Sequence, residues 1–352
     1  MKKRIDITAL VRPNIRSLRA YNAKEIPCRV KLDANESPFP LSGWTAHKSA
    51  GLLEAASTNR YPDPEAKELR EMVARLFGVR PETILQGNGS DELIYYLITT
   101  FGGPVLYPVP TFSMYGIISG ALGEKGIAVP LDRDFDIDTK KMMQVVKEER
   151  PKLIFLSSPN NPTGNCFSAE RVLKLIEASS GIVVVDEAYQ PFASEKGFLP
   201  LLKDYRNLVI MRTLSKIGFA ALRLGFLIAD REIIREVNKV RLPFNVNTLS
   251  QKLAVSALKN TKMLKAAIGT IVSERERLMR EMEKMGGVAP YPSEANFILF
   301  RVKDPDRLYH GLLKKGILVR NMNDGIRGCL RVTVGTPEEN TAFLKALNRS
   351  VQ

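Results

Sequence analysis

Three short apolar runs, rich in valine and isoleucine, constrain the fold of this chain more than any other feature. They occupy residues 153–156, 182–185 and 208–211, and a helical pattern that starts at the capping sequence around Ser168 separates the first two. Runs of this kind are typical of strands buried on both faces of a parallel sheet. The order strand, helix, strand therefore predicts an α/β fold built on a mostly parallel sheet.

Polar side chains follow each of the three runs directly. The first run leads into Ser-Ser-Pro-Asn-Asn-Pro-Thr-Gly, the second into Asp-Glu-Ala-Tyr and the third into a segment that contains Thr-Leu-Ser-Lys. Ligands of parallel sheets bind beyond the carboxyl ends of the strands. We therefore expect five side chains to converge on one site, namely Asn161, Asp186, Tyr189, Ser215 and Lys216. Arg223 follows seven residues after Lys216, which places a guanidinium with the amine and the hydroxyl at the end of the third strand.

These residue types suit pyridoxal 5'-phosphate, an aldehyde cofactor. Lys216 can form a Schiff base with the aldehyde and afterwards serve as the general base. Asp186 beside the pyridine nitrogen would keep that nitrogen protonated, so the ring can accept electrons from a carbanion at the substrate's α-carbon. Asn161 and Tyr189 can donate hydrogen bonds to the phenolate oxygen. Each segment alone is more often a solvated loop, and it is their succession that favours the cofactor.

A phosphate-binding segment is predicted earlier in the chain, where Gly-Asn-Gly-Ser-Asp-Glu precedes a helical pattern. The first turn of a helix presents unpaired amides and the positive end of the helix dipole. Gly89, Ser90 and Asp91 can therefore bind phosphate oxygens, and Ser215 and Arg223 can hold the same phosphate. The alternative interpretation is a plain capped helix.

With these segments assembled, the chain resembles the fold-type I aminotransferases, and within them the histidinol-phosphate aminotransferase family. The resemblance covers nearly the whole chain and includes Leu-Asp-Ala-Asn-Glu-Ser-Pro from residue 32, Arg-Tyr-Pro-Asp-Pro from residue 60 and Cys-Leu-Arg-Val-Thr-Val-Gly-Thr from residue 329. It implies the fold of type I pyridoxal-phosphate transferases, with helices wrapped around a mostly parallel central sheet and a smaller α+β domain. It also implies amino transfer between glutamate and imidazole-acetol phosphate, which gives histidinol phosphate and 2-oxoglutarate in histidine biosynthesis.

The resemblance assigns a role to each matching residue around the cofactor. It implies that Lys216 is the Schiff-base lysine and that Asp186 and Tyr189 act with it in catalysis. Phe112 takes the position stacked on the ring, where tyrosine would be commoner. The loop from Lys216 to Arg223 is one residue shorter than the commonest spacing in this fold. The phosphate ligands that it implies are Ser90, Asp91, Ser215 and Arg223, while Asn161 contacts the ring.

Substrate recognition is assigned to residues outside the cofactor cradle. Arg331 matches the arginine that grips the substrate's acidic group, a carboxylate in glutamate and a phosphate in the histidinol partner. Arg320 resembles an extra phosphate ligand and Tyr21 a tyrosine that closes over the substrate, although surface charge and small-domain packing are alternatives for both. Asn35 is also expected to contact substrate. Tyr61 implies an obligate homodimer in which it reaches the phosphate in the partner subunit's site.

Three other functions remain open. A threonine-phosphate decarboxylase of the same fold would use the same lysine and anion-binding arginines but release carbon dioxide. An aromatic or broad-specificity aminotransferase is also compatible with the residues. A cofactor-binding regulatory protein can carry this fold, but it would need an attached DNA-binding domain, for which we find no room before Leu32.

The pattern divides the chain into two predicted domains. A large cofactor-binding domain is expected over residues 37–241. Residues 1–36 form an N-terminal arm, which joins a small domain over residues 242–352. In that small domain the pattern predicts a long helix over 262–284, strands near 296–302 and 329–334, and a final helix over 337–348.

The charge of the chain restricts its partners. It has 52 basic and 38 acidic residues, a net charge of +14, but the basic residues are scattered and no groove-reading motif is present. We therefore predict no specific nucleic-acid partner, since a positive field also suits an enzyme with anionic substrates and cofactor.

The cysteines and the apolar segments indicate the compartment. Cys28, Cys166 and Cys329 are too scattered for a disulfide framework or a metal cluster. No run approaches the ~20 apolar residues of a membrane span. We therefore predict a cytoplasmic protein without a metal or a membrane segment.

Overall fold

The structure is a computed structural model that describes residues 5–18, 20, 25–39 and 57–351. Its first elements belong to an N-terminal arm: helices α1 (Ile7–Leu10) and α2 (Pro13–Arg16), then strand β1 (Val30–Leu32). Asn14 anchors α2 through its Nδ2, which donates to the carbonyls of Gly120 and Ala121 at 3.1 and 3.0 Å. Tyr21, predicted to close over the substrate, lies outside the described residues.

A seven-stranded sheet forms the centre of the larger part of the molecule. Its strands are β2 (Ile84–Asn88), β3 (Val105–Val109), β4 (Gly126–Pro130), β5 (Leu153–Ser157), β6 (Ile182–Asp186), β7 (Leu208–Thr213) and β8 (Leu224–Ala229). Their spatial order is β2-β8-β7-β6-β5-β3-β4. Strands β4, β3, β5, β6 and β7 pair in parallel, whereas β8 runs antiparallel to both of its neighbours. The predicted mostly parallel sheet is confirmed.

Helices cover both faces of this sheet. They are α3 (Lys67–Phe77), α4 (Ser90–Phe101), α5 (Met114–Leu122), α6 (Thr139–Glu149), α7 (Ala169–Ala178), α8 (Arg231–Asn238) and α9 (Thr248–Leu258). Alternate residues of a strand point to opposite faces. Ile154 and Leu156 accordingly pack with α3, α6, α7 and α9, while Leu153 and Phe155 pack with α4, α5 and α8. This double burial explains why the strands are apolar throughout rather than alternating.

The start of α7 differs in detail from the sequence prediction. Ser168 lies at the N-cap position, but its side chain does not accept a hydrogen bond from the helix amides. Its Oγ donates instead to Asp136 Oδ2 at 2.5 Å, which ties α7 to the loop before α6. A tertiary carboxylate has therefore replaced the local cap.

A second sheet of five strands forms the smaller part, with β1 at one edge. The remaining elements are α10 (Thr261–Glu283), β9 (Val288–Pro290), β10 (Phe297–Val302), α11 (Pro305–Lys314), β11 (Ile317–Asn321), β12 (Cys329–Thr333) and α12 (Pro337–Val351). The strand order is β1-β11-β12-β10-β9, parallel only between β1 and β11. The long helix, the two strands and the final helix that the sequence predicted are present. The predicted boundary at residue 242 stays a prediction, and α9 beyond it packs on the large sheet.

The two sheets meet beside the carboxyl end of β6. Tyr189 and Phe192, just beyond that strand, are buried in the apolar core of the smaller sheet. The loop after β1 returns to the same place, where the Asn35 amide donates to Thr333 Oγ1 of β12 at 2.9 Å. The predicted site residues therefore lie where the two cores join. Within the described ranges, no helix is both long and apolar enough to cross a membrane.

Candidate active site

Asp186 ends β6 in a fully enclosed position. Its Oδ2 accepts a hydrogen bond from Tyr115 Oη at 2.7 Å, and its Oδ1 accepts one from the Ala188 amide at 3.1 Å. Burial raises the pKa of this carboxyl to about 6, although the bond from Tyr115 and the charge of Lys216 oppose the rise. A buried carboxylate with no direct cationic partner among the described residues is suited to a protonated ring nitrogen.

Tyr189 is oriented by Asn35 from the smaller part of the molecule. Asn35 Nδ2 donates to Tyr189 Oη at 2.9 Å, and the Tyr189 ring meets Phe297 edge to face at 5.1 Å. Asn35 adopts a left-handed conformation with φ of 55°, which asparagine tolerates better than most residues. Because its oxygen already accepts from Asn35, the hydroxyl of Tyr189 can direct its own proton towards a ligand.

Asn161 is fixed in a similar way, by Arg331 of β12. Arg331 Nη1 donates to Asn161 Oδ1 at 2.5 Å, while its Nη2 donates to the Asp33 carbonyl at 2.8 Å. The amide oxygen of Asn161 is thereby engaged. Its Nδ2 has no hydrogen-bond partner within the described part of the chain, so this donor is available to an acceptor such as a phenolate oxygen.

Lys216 lies in a single turn of 3₁₀ helix, Ser215–Ile217, directly beyond β7. Its Nζ is 5.7 Å from the centre of the Tyr189 ring. The hydroxyls of Thr213 and Ser215 are 3.0 Å apart, and the Ser215 amide donates to Thr213 Oγ1 at 3.1 Å. The Lys216 amine thus lies beside the Tyr189 ring, and its charge acts on Asp186.

Gly89 and α4 form an open cradle beside the lysine. Gly89 is the N-cap of α4, and among the described residues no side chain caps the amides of the first turn. A Cβ built on Gly89 would lie 2.6 Å from Arg223 Nη2, so only glycine lets the guanidinium rest here. Arg223 Nη2 is also 3.7 Å from Asp91 Oδ2. Burial raises the pKa of Asp91, against the opposing charges of Arg223 and Lys216.

The shortened loop between Lys216 and Arg223 still delivers the guanidinium to this cradle. It consists of two 3₁₀ turns, Ser215–Ile217 and Ala220–Leu222, joined through Gly218 with φ of 108°. Arg223 itself adopts φ of 52°. Left-handed residues at both positions make the path of the chain compact.

Pyridoxal phosphate fits this set of residues. The uncapped turn of α4 and Arg223 would hold its phosphate, Asp186 its ring nitrogen, and the free donors of Asn161 and Tyr189 its phenolate oxygen. Lys216 is the amine within the same enclosure. The assignments remain predictions for each residue, and they are mutually compatible in space.

The family model for aminotransferases of class I and II matches residues 29–347. The chain belongs to this family. It is 44% identical over 350 residues to the histidinol-phosphate aminotransferase of Aquifex aeolicus, which covers 97% of this chain and 98% of that protein. The enzyme of the same name from Thermoanaerobacter pseudethanolicus is 42% identical over 347 residues, with the same two coverages. The resemblance that the sequence indicated is confirmed.

A solved structure agrees with the fold and with the cofactor class. The crystal structure of histidinol-phosphate aminotransferase from Sinorhizobium meliloti in complex with pyridoxal-5'-phosphate matches this aminotransferase with a TM-score of 0.84. It is 26% identical in sequence, and the match covers 96% of each chain. The family and this neighbour together imply a pyridoxal phosphate enzyme.

Arg320 of this aminotransferase stands opposite Arg331 in the smaller sheet. The two residues are Cα partners in the antiparallel ladder of β11 and β12, so their side chains project from the same face. Arg331 is buried and points to Asn161, whereas Arg320 is exposed. The two guanidinium groups therefore lie side by side, one exposed to solvent and the other in contact with Asn161.

Tyr61 lies apart from the other predicted residues. It is 82% exposed and stacks on Phe244, with ring centres 4.6 Å apart. Its predicted contact with the phosphate of a partner subunit stays a prediction. The exposure is what a contribution to a second subunit requires.

The sequence did not indicate Tyr115 as part of the site. Phe112, the predicted stacking residue, meets the Tyr115 ring edge to face at 5.6 Å, and Tyr115 stacks in turn on Phe155 at 4.8 Å. Tyr115 lies in an apolar helix and resembles an ordinary core residue. The available signal was its position three residues after Phe112, in the first turn of the helix that follows.

The buried carboxylate predicts an unusual pH dependence in the cofactor-free protein. Unfolded, Asp186 ionises near its ordinary pKa of 3.8, whereas the folded protein holds its proton up to about pH 6. The folded state therefore binds more protons in this window, and Asp186 lowers stability as pH rises through it, by about 3 kcal/mol in total. Thermal unfolding of the apoprotein and of D186N should show a smaller decline in the variant.

An exposed position supplies the control for this comparison. D204N removes one negative charge at the surface and should leave the wild-type decline unchanged. If D186N and wild type lose stability in parallel between about pH 4 and pH 6, Asp186 does not ionise as a buried group.

Proposed function

We propose that this aminotransferase exchanges an amino group between glutamate and imidazole-acetol phosphate, which yields histidinol phosphate and 2-oxoglutarate in histidine biosynthesis. The observation that carries the proposal is the contact between Arg331 and Asn161, because it joins an anion-binding arginine to a ring-binding amide at 2.5 Å. The full-length likeness to histidinol-phosphate aminotransferases at 42–44% identity supports the choice of substrate.

The site residues have separate roles in the proposed reaction. Pyridoxal phosphate, when bound, supplies the aldehyde that takes up the amino group and the ring that accepts electrons from the α-carbon. Lys216 Nζ removes the proton from the α-carbon of the amino donor and returns a proton during the second half of the reaction. Asp186 would keep a proton on the ring nitrogen, and Tyr189 and Asn161 would orient the ring towards Lys216.

The two arginines of the smaller sheet account for the use of two different anions. Like charges opposite each other in a ladder are unfavourable, so an anion between Arg320 and Arg331 relieves a repulsion that is present without it. Arg331, held by Asn161 and the Asp33 carbonyl, binds the carboxylate of glutamate. The exposed Arg320 can add a second cation for the dianionic phosphate of the other substrate.

We also propose that the enzyme works as a homodimer in which Tyr61 completes the partner subunit's phosphate site. Tyr61 and Phe244 form a stacked pair, and the nearby Leu242 is 62% exposed. An apolar cluster of this kind on the surface suits burial by a second copy. The tyrosine hydroxyl would then donate to the cofactor phosphate beside Arg223 of the partner subunit.

The absorption spectrum of the purified, cofactor-loaded protein tests the reaction directly. Adding histidinol phosphate without a keto acid should abolish the visible band of the bound cofactor with no release of carbon dioxide, because only the first half of the exchange can proceed. K216A should show neither the visible band nor turnover. Release of carbon dioxide from threonine phosphate, or a response only to aromatic amino acids, would replace the proposed substrate.

Arg320 should affect one substrate and spare the other. We expect R320M to raise the KM for histidinol phosphate by about 10- to 100-fold, the usual effect of losing one hydrogen bond to a charged group. The kcat/KM for glutamate should change by less than about threefold. R327M, at another exposed arginine of the same part, should alter neither value. Equal losses for both substrates would show that Arg320 does not distinguish the phosphate.

Mixing two inactive variants tests the shared site. If Tyr61 acts in the partner's site, a mixed dimer of K216A and Y61A contains one site with both native residues. Denaturing and refolding an equimolar mixture should restore about a quarter of wild-type activity, since half of the dimers are mixed and each has one intact site. Each variant refolded alone is the control. No gain on mixing would place Tyr61 outside the partner's site.

A further inference from the structure

Tyr115 is a fully buried side chain that contacts both the predicted ring-stacking residue, Phe112, and the predicted partner of the ring nitrogen, Asp186. It lies in the first turn of α5, and none of its surface is exposed. Its Oη donates to Asp186 Oδ2 at 2.7 Å.

Aromatic contacts hold the Tyr115 ring on several sides. It stacks on Phe155 of β5 with an interplanar angle of 12°, and it meets Phe112 edge to face with an angle of 84°. Tyr107 of β3 lies further away, with ring centres 6.4 Å apart. Close packing of this kind leaves the hydroxyl little freedom, so its hydrogen bond has a fixed direction.

We propose that Tyr115 is a positioning residue that keeps Asp186 charged and aimed at the ring nitrogen of pyridoxal phosphate. The proposal deepens the proposed function and rests on it. Tyr115 reaches the cofactor only through Asp186 and through its edge contact with Phe112. It is therefore not a catalytic residue in its own right.

The balance of groups around Asp186 explains why this hydrogen bond matters. Burial favours the neutral acid, and the charge of Asp91 on α4 acts in the same direction. Tyr115, the Ala188 amide and Lys216 beyond β7 lower the pKa of Asp186. Removing the hydroxyl would therefore move Asp186 towards the neutral form, which cannot stabilise a protonated ring nitrogen.

Tyr115 remains a donor throughout the working range of pH. Burial, followed by the charge of Asp186, raises the pKa of its hydroxyl well above the ordinary value. Ser157 of β5 opposes this rise only in part. The pair thus has one stable arrangement, a neutral phenol that donates to a carboxylate.

The test compares the affinity of the apoprotein for pyridoxal phosphate in Y115F and in a matched control. Phenylalanine keeps the stacked ring and removes only the hydroxyl. We expect Y115F to raise the Kd for the cofactor by about 10- to 100-fold. Y107F removes a hydroxyl from the same aromatic group without touching Asp186, and its Kd should stay within about twofold of wild type.

A double-mutant cycle separates a positioning role from a purely structural one. If Tyr115 acts through Asp186, Y115F should leave the Kd unchanged in a D186N background. An equal loss of affinity in both backgrounds would overturn the proposal. If Y115F does not fold, recovery of folding in Y115F/D186N would still support the proposal. The misfolding of Y115F would then be due to the Asp186 carboxylate, which is left buried without its hydrogen-bond donor. Failure of both variants to fold would make Tyr115 a core residue only.

The outcomes also separate this proposal from the proposed function. Wild-type apoprotein that binds no pyridoxal phosphate would refute the cofactor site, the proposed function and the role of Tyr115 together. Normal wild-type binding and transamination with an unchanged Kd in Y115F would refute the role of Tyr115 alone.

Discussion

The arrangement of the site depends on one buried carboxylate, that of Asp186 at the end of β6. Burying Asp186 is unfavourable unless hydrogen bonds or an opposite charge compensate. The fold supplies one donor from α5 and one from the backbone after β6. These two bonds do not neutralise the carboxylate, so a cation in this position gains the full benefit of a low-dielectric environment. The Asp186 carboxylate can therefore attract a protonated ring nitrogen, and it is in position before any ligand arrives.

The smaller sheet fixes the side chains that the larger sheet presents. Asn35 orients Tyr189 and Arg331 orients Asn161, and in both cases the holding residue belongs to the smaller sheet or to the loop that follows β1. Movement of the smaller sheet relative to the larger would thus disturb both proposed donors to the ring oxygen at once. In the proposed function Arg331 binds the substrate anion and also holds Asn161, so binding of the anion and placement of the ring would depend on the same guanidinium.

The sequence predicted the parts of this arrangement that follow from periodicity. The runs that became β5, β6 and β7 are buried on both faces, and their carboxyl ends must meet at one edge, so Asn161, Asp186 and Lys216 could be grouped in advance. The reversed direction of β8, the left-handed backbone of Arg223 and the side-chain contact of Ser168 could not be predicted. Each depends on tertiary neighbours rather than local pattern. Tyr115 was missed for the same reason, since an apolar helix gives no sign of a buried carboxylate beside it.

The arginines of the site differ in how firmly the fold holds them, and this difference matches the ligands they are proposed to bind. Arg331 is buried and bound to an amide and a carbonyl, so its direction is set before substrate arrives. Arg223 and Arg320 are exposed, although a tight backbone turn delivers Arg223 to the cradle. A preorganised guanidinium loses little entropy on binding, which suits the acidic group common to both substrates. An exposed guanidinium can turn towards a phosphate or away from it, which suits the proposed role of Arg320 towards one substrate only.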